Sequence, residues 1–149
     1  MLIRGATVLS MDPTVGDLPR GDVLIDGTRI VAVGPNLTEA AAGETIDASG
    51  CLVMPGFVDT HRHMWEGGLR GIVPRGTLES YFHRVLLEIG PRLTPADLAV
   101  GEALSARASL AAGITTVQDT SDIHDSPART DAVVNALRDS GLRAVFATG

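Results

Sequence analysis

From Leu52 onward the sequence alternates between short apolar runs and longer Ala-rich segments, and each switch carries a punctuating residue. Thr94-Pro95-Ala96-Asp97 starts a helix: Thr94 caps, Pro95 fits the first turn, and Asp97 suits the positive end. That helix runs through alanines to Ala112 and stops at Gly113, a residue that tolerates the left-handed conformation of a helix terminus. Ile114-Thr115-Thr116-Val117 follows at once as a strand. Ser126-Pro127 opens a second helix with Ala132, Val133, Ala136 and Leu137 as its apolar stripe, and Gly141 ends it before a strand over Leu142 to Ala147. A strand over Leu52 to Thr60 precedes them, with a helical pattern from Leu78 to Ile89 between. Strand, helix, strand, helix, strand with short connections predicts an α/β fold with a parallel sheet and right-handed crossovers.

The first fifty residues have a different texture. Apolar runs at Leu2 to Leu9, Asp22 to Ile25, Arg29 to Val33 and Thr45 to Ala48 are short and separated by turn residues. Asp26-Gly27-Thr28 between two β-branched runs is a hairpin signal. Thr38 to Gly43 reads as a loop or a single helical turn. Two domains are expected: a small β-layer over 1–51 and βα units over 52–149.

Composition narrows the function. The chain of 149 residues carries a formal charge of -6, and its twelve basic residues, all arginine, are scattered singly. This argues against a nucleic-acid surface. No apolar run approaches the ~20 residues of a membrane span, and no signal peptide is seen at the start, so a soluble, cytoplasmic protein is expected. The single cysteine, Cys51, excludes an intrachain disulfide and is expected to be a small buried hydrophobe.

The chemistry sits in Pro55-Gly56-Phe57-Val58-Asp59-Thr60-His61-Arg62-His63. Side chains at i and i+2 of a strand share a face, so His61 and His63 project together from the strand's carboxyl end, placed to close on one metal ion. The alternative is a pair of strand-end histidines with ordinary hydrogen bonds. Imidazole suits zinc and iron, among other ions.

That motif, the preceding Asp-Gly-Thr-Arg-Ile at 26–30 and the later Ala-Gly-Ile-Thr-Thr-Val at 112–117 resemble the N-terminal third of the amidohydrolase superfamily. Within it the chain looks most like the cytosine deaminase, guanine deaminase and triazine hydrolase group. The resemblance implies the N-terminal part of a (β/α)8 TIM barrel preceded by a β-sandwich segment. It implies His61 and His63 as the first two ligands of one divalent metal, zinc or iron. Two further histidines and a proton-shuttling aspartate come from later strands in such enzymes, so no catalytic residue is expected within this chain. A full barrel takes ~250 residues; the chain reads as an N-terminal fragment that is inactive alone. The implied activity is hydrolysis of carbon–nitrogen bonds, a deaminase of a cyclic amidine or amide acting on a small nitrogen heterocycle. A chlorohydrolase acting on a related ring, a non-catalytic metal-binding or assembly module, and a homo-oligomer are the other readings.

Trp65, Glu66 and Asp119 are the candidate substrate contacts. Trp65 and Glu66 follow the histidines in the first βα loop, where barrel enzymes place specificity groups; an indole can stack on a planar ring, or pack on a helix. Glu66 is a substrate contact or a solvated carboxylate. Asp119 ends the second barrel strand and either lines the pocket or caps the loop. Asp59 is a candidate to orient a histidine. Asp119, Asp122 and Asp125 with His124 suggest another metal site, against the plainer role of capping the helix at Pro127.

Overall fold

Gly27, at φ +56°, turns the chain between β2 (Leu18–Asp26) and β3 (Arg29–Gly34), where Asp26 pairs with Arg29. In the computed structural model, which describes residues 1–38 and 43–148, the chain forms two compact units, Met1–Pro55 and Gly56–Gly149. Most of the segment read as a loop or helical turn, residues 39–42, lies outside the described residues.

In the first unit, β1 (Leu2–Val8) pairs antiparallel with β2 and parallel with both β4 (Thr45–Asp47) and β5 (Leu52–Val53). The strand order is β3-β2-β1-β4, with β5 also on β1. Ala6, Val8, Val23 and Ala48 form the core. Asp22 is buried within this sheet, and its two carboxylate oxygens accept from the backbone N–H groups of Gly5 at 2.8 Å and Leu37 at 2.9 Å. A buried carboxylate is tolerated when donors replace its water.

Two expectations fail here. The run Leu52 to Thr60 is not one strand: Leu52 and Val53 pair with β1, and the histidine-bearing strand begins at Phe57. Met54-Pro55-Gly56 separates them, and Pro55 has no N–H to continue a ladder. Cys51 is exposed, not buried. Its carbonyl accepts from Thr7 N–H at the start of a two-residue ladder, so its side chain stands at the rim of the sheet.

The second unit holds a parallel sheet in the order β6 (Phe57–Arg62), β7 (Ile114–Ser121), β8 (Arg143–Thr148). Between β6 and β7 run a 3₁₀ turn (Met64–Leu69), α1 (Leu78–Tyr81), a π-helical stretch (Phe82–Ile89) and α2 (Pro95–Ala111). Between β7 and β8 lies α3 (Pro127–Asp139). The helix starts follow the sequence. Thr94 and Asp97 form a reciprocal capping box on α2, Ser126 caps α3, and Gly113 and Gly141 take left-handed φ values of +80° and +79°.

Small residues set the packing. A Cβ on Gly101 would stand 2.0 Å from the carbonyl oxygen of Trp65, and one on Gly67 would stand 2.2 Å from the carbonyl oxygen of Gly101. Backbone therefore meets backbone where α2 crosses the 3₁₀ turn, and this contact fixes the segment that follows His63. On β7 the buried residues Val117, Asp119 and Ser121 share one face. Val117 packs with Met64, Ala106 and Leu137, so that face looks at the helices.

Candidate active site

The rings of His61 and His63 meet edge to face, with centroids 5.1 Å apart. Two imidazoles that ligate one tetrahedral ion through nitrogens at ~2.1 Å have centroids about 5 Å apart, so the separation fits a shared ion. His63 Nδ1 lies 2.7 Å from the carbonyl oxygen of Thr120. A carbonyl only accepts, so the ring donates its Nδ1–H, which in the neutral tautomer leaves the lone pair on Nε2. This is the state in which metal-binding histidines are usually held. His61 is exposed at the strand end, and its backbone N–H donates to Asp59 Oδ1 at 3.3 Å. Asp59 does not reach an imidazole nitrogen by any hydrogen bond among the described residues. Its other oxygen pairs with Arg62 at 3.2 Å.

No third His, Cys, Asp or Glu joins the two histidines in a metal-binding group among the described residues. The acidic run after β7 does not join them as ligands among the described residues. Asp122 accepts from Trp65, and Asp125 pairs with Arg129 at 2.8 Å.

Two of the three candidate substrate contacts are placed away from the open cleft. Trp65 is 1% exposed and packs with Val85, Leu98, Ile123 and Val133. Its indole N–H donates to Asp122 Oδ1 at 2.8 Å, so the ring is a core element and not a stacking platform. Asp119 is fully buried on the helix-facing side of β7, and its Oδ1 accepts from Met64 N–H at 2.9 Å. Burial lifts its carboxyl to about 6. It anchors the turn after His63 and does not line the pocket.

Glu66 does face the cleft. A cavity of about 890 Å³ opens beside His63, Arg62, Glu66, Arg70 and Tyr81, with Leu69, Val73 and Val85 among its apolar walls. Tyr81 O–H donates to Glu66 Oε1 at 2.5 Å. Burial raises the Glu66 carboxyl above its ordinary range, and this outweighs the lowering by the tyrosine hydroxyl. Burial, with the Glu66 carboxyl as its acceptor, raises the Tyr81 phenol too. The cavity, which His63 lines and His61 does not, thus offers a half-buried acid held by a phenol.

Two features escaped the sequence reading. Tyr81 is the only tyrosine in the chain and sits at the end of α1, where helical periodicity gives no hint that it turns toward Glu66. Glu102 is completely buried, with neither carboxylate oxygen hydrogen-bonded among the described residues. Burial first, and the neighbouring Asp119 charge second, raise its carboxyl to about 9. Its signal was present: a carboxylate among Gly101, Ser105, Ala106 and Ser109, the small buried residues of α2.

Residues 52–149 match the model of the amidohydrolase family. The chain belongs to that family. This amidohydrolase chain is 37% identical over its whole length to a 5-methylthioadenosine/S-adenosylhomocysteine deaminase of Symbiobacterium thermophilum, of which it covers 33%. It is 33% identical, again over its whole length, to a 5'-deoxyadenosine deaminase of Methanococcoides burtonii, of which it also covers 33%. Among solved structures, a triazine hydrolase variant superimposes over 99% of the chain and 35% of its own length, with a TM-score of 0.90 and 33% identity. The zinc complex of atrazine chlorohydrolase from Arthrobacter aurescens gives a TM-score of 0.84 at 33% identity over the same shares. The chain thus spans about a third of the length of the curated relatives it matches. No helix among its described residues is long and apolar enough to cross a membrane.

Proposed function

We propose that His61 and His63 are two ligands of a divalent metal, zinc first and iron second, in a hydrolase of carbon–nitrogen bonds that deaminates a cyclic amidine. The observation that carries this is the state of His63. Its Nδ1–H is spent on the Thr120 carbonyl, so Nε2 is the nitrogen available to an ion, beside a second imidazole at a separation suited to sharing one. The deaminases to which the chain is similar favour this reaction. When bound, such an ion supplies Lewis acidity that makes a nucleophile of water near neutral pH. The residues of this chain hold the ligands in place: Thr120 fixes the tautomer of His63, and Asp119 and Ser105 fix the backbone of Met64 directly after it. Glu66, kept in place by Tyr81, accepts ring N–H donors of the substrate from the cleft wall.

A catalytic zinc site takes three protein ligands and water. The remaining ligands and the proton-shuttling group therefore belong to other strands of a (β/α)8 barrel, of which β6, β7 and β8 are the first three. In the same reading the first unit is part of a β-sandwich, the enzyme is cytoplasmic and self-associates, and the substrate is a small nitrogen heterocycle. The likeness to atrazine chlorohydrolase supports a second reading, hydrolytic loss of chloride from a related ring.

The test is metal analysis with activity on a panel of adenosine derivatives and chlorinated triazines. His61→Ala and His63→Ala are each expected to lose zinc and at least about 100-fold in kcat, the scale on which removing a ligand disables a metal site. Full zinc content and turnover in either variant would refute the assignment. Release of ammonia or of chloride separates the two reactions.

A further inference from the structure

The polar groups near His63 that this chemistry leaves unused converge on Asp122, the residue directly after β7. Its Oδ1 accepts the indole N–H of Trp65 at 2.8 Å, and its Oδ2 lies 3.7 Å from His63 Nδ1. The donor side is rigid. Trp65 is 1% exposed, packs on the central core of the unit, and has its own carbonyl pressed against Gly101 of α2. The opposite side faces the imidazole edge that carries the Nδ1 proton. A carboxylate pinned by a buried tryptophan thus stands beside the N–H of a candidate ligand.

We propose that Asp122 is a positioning residue for metal binding: Trp65 anchors it, and its charge beside the Nδ1–H of His63 holds Nε2 toward the ion and makes it a stronger donor. This rests on the reading of His63 as a ligand. The Nδ1–H itself donates to the Thr120 carbonyl; the Asp122 carboxylate, 3.7 Å from the same nitrogen, adds a charge that raises the basicity of the ring, and losing an outer partner of a ligating histidine typically costs 10–100-fold in metal affinity. The bland alternative is that Asp122 only satisfies a buried indole N–H.

Two substitutions separate these roles. Asp122→Asn keeps an oxygen for the indole but removes the charge; Trp65→Phe keeps an aromatic ring but releases the carboxylate. Zinc affinity is measured on the full-length protein by competition with a chromophoric chelator, beside thermal unfolding of each variant. Asp122→Asn is expected to lose roughly 10–100-fold in zinc affinity while its unfolding midpoint stays near wild type. Trp65→Phe is expected to weaken zinc binding less, and the double variant no more than Asp122→Asn alone, because both act through one carboxylate. The Trp65 indole N–H, the sole indole among these 149 residues, is expected to shift in ¹H–¹⁵N spectra when zinc is added. That readout needs no variant.

Wild-type zinc affinity in Asp122→Asn, or an indole resonance indifferent to bound zinc, overturns the role of Asp122. His63→Ala is the control that distinguishes the two levels. If it too binds zinc as wild type does, the ligand assignment itself is wrong. If it loses zinc while Asp122→Asn does not, only the positioning role falls.

Discussion

Asp22 in a strand of the first unit and Glu102 in a helix of the second are both buried carboxylates, and the two are treated in opposite ways. Asp22 in the small β-unit is 4% exposed and has a backbone donor on each oxygen. Glu102 in the strand-helix unit is 0% exposed and has none among the described residues. The first charge is built into the sheet, since Asp22 ties β1 to the end of β3. The second is kept out of the interior by keeping its proton, and this explains the rise of its carboxyl to about 9. Sheet geometry supplies spare N–H groups at register breaks such as that between Ile3 and Ala6, where Gly5 donates to Asp22. A helix interior supplies none, because each N–H is already spent on its own ladder.

The contrast can be broken by substitution. The largest effect belongs to the tightest contact, Gly101→Ala, which forces a methyl against the Trp65 carbonyl. It is expected to cost about 3 kcal/mol in chemical denaturation, overpacking outweighing the gain in helix propensity. A stability equal to wild type would mean that α2 is free to move off the turn. Asp22→Ala follows, at about 2 kcal/mol, since two buried N–H groups lose their acceptor. If it costs nothing, the carboxylate is not what holds the sheet there.

Glu102 should behave the other way. Its folded-state value of about 9 stands above its ordinary 4.5, so the native chain keeps a proton that the unfolded chain gives up. The stability that this group supports is complete below pH 4.5 and declines as pH rises toward 9. Against Glu102→Gln the wild type is expected to lose about 1 kcal/mol per pH unit across that window. Parallel stability–pH curves for the two proteins would show that Glu102 ionises normally. The smallest effect is at Cys51. Its exposure predicts labelling by a thiol reagent without denaturant, and a change below about 0.5 kcal/mol for Cys51→Ser.

The histidine pair and the helix boundaries were legible because each rests on a local rule. Residues i and i+2 share a strand face, and Thr94-Pro95, Ser126-Pro127, Gly113 and Gly141 act within a turn of where they stand. For Trp65 and Asp119 the sequence left two roles open. Alternation along β7 puts Asp119 with Val117 and Ser121, but only the packing of α2 and α3 shows that this face meets helices and not the cleft. Trp65 lies in a 3₁₀ turn, where neither the strand nor the α-helical period sets direction. The division of Leu52–Thr60 was readable at Pro55, whose missing N–H outranks the continuity of the apolar run. Cys51 followed the habit of its residue type, and the two-residue ladder of β5 gave it nothing to lie beneath.

The backbone contact between Gly67 and Gly101 also bears on how the cleft can change over generations. The base of the first βα loop is welded to a neighbouring helix at two positions where no side chain fits. Within this chain, change in the cavity wall is therefore expected farther along, between Leu69 and Pro74, beyond the welded base.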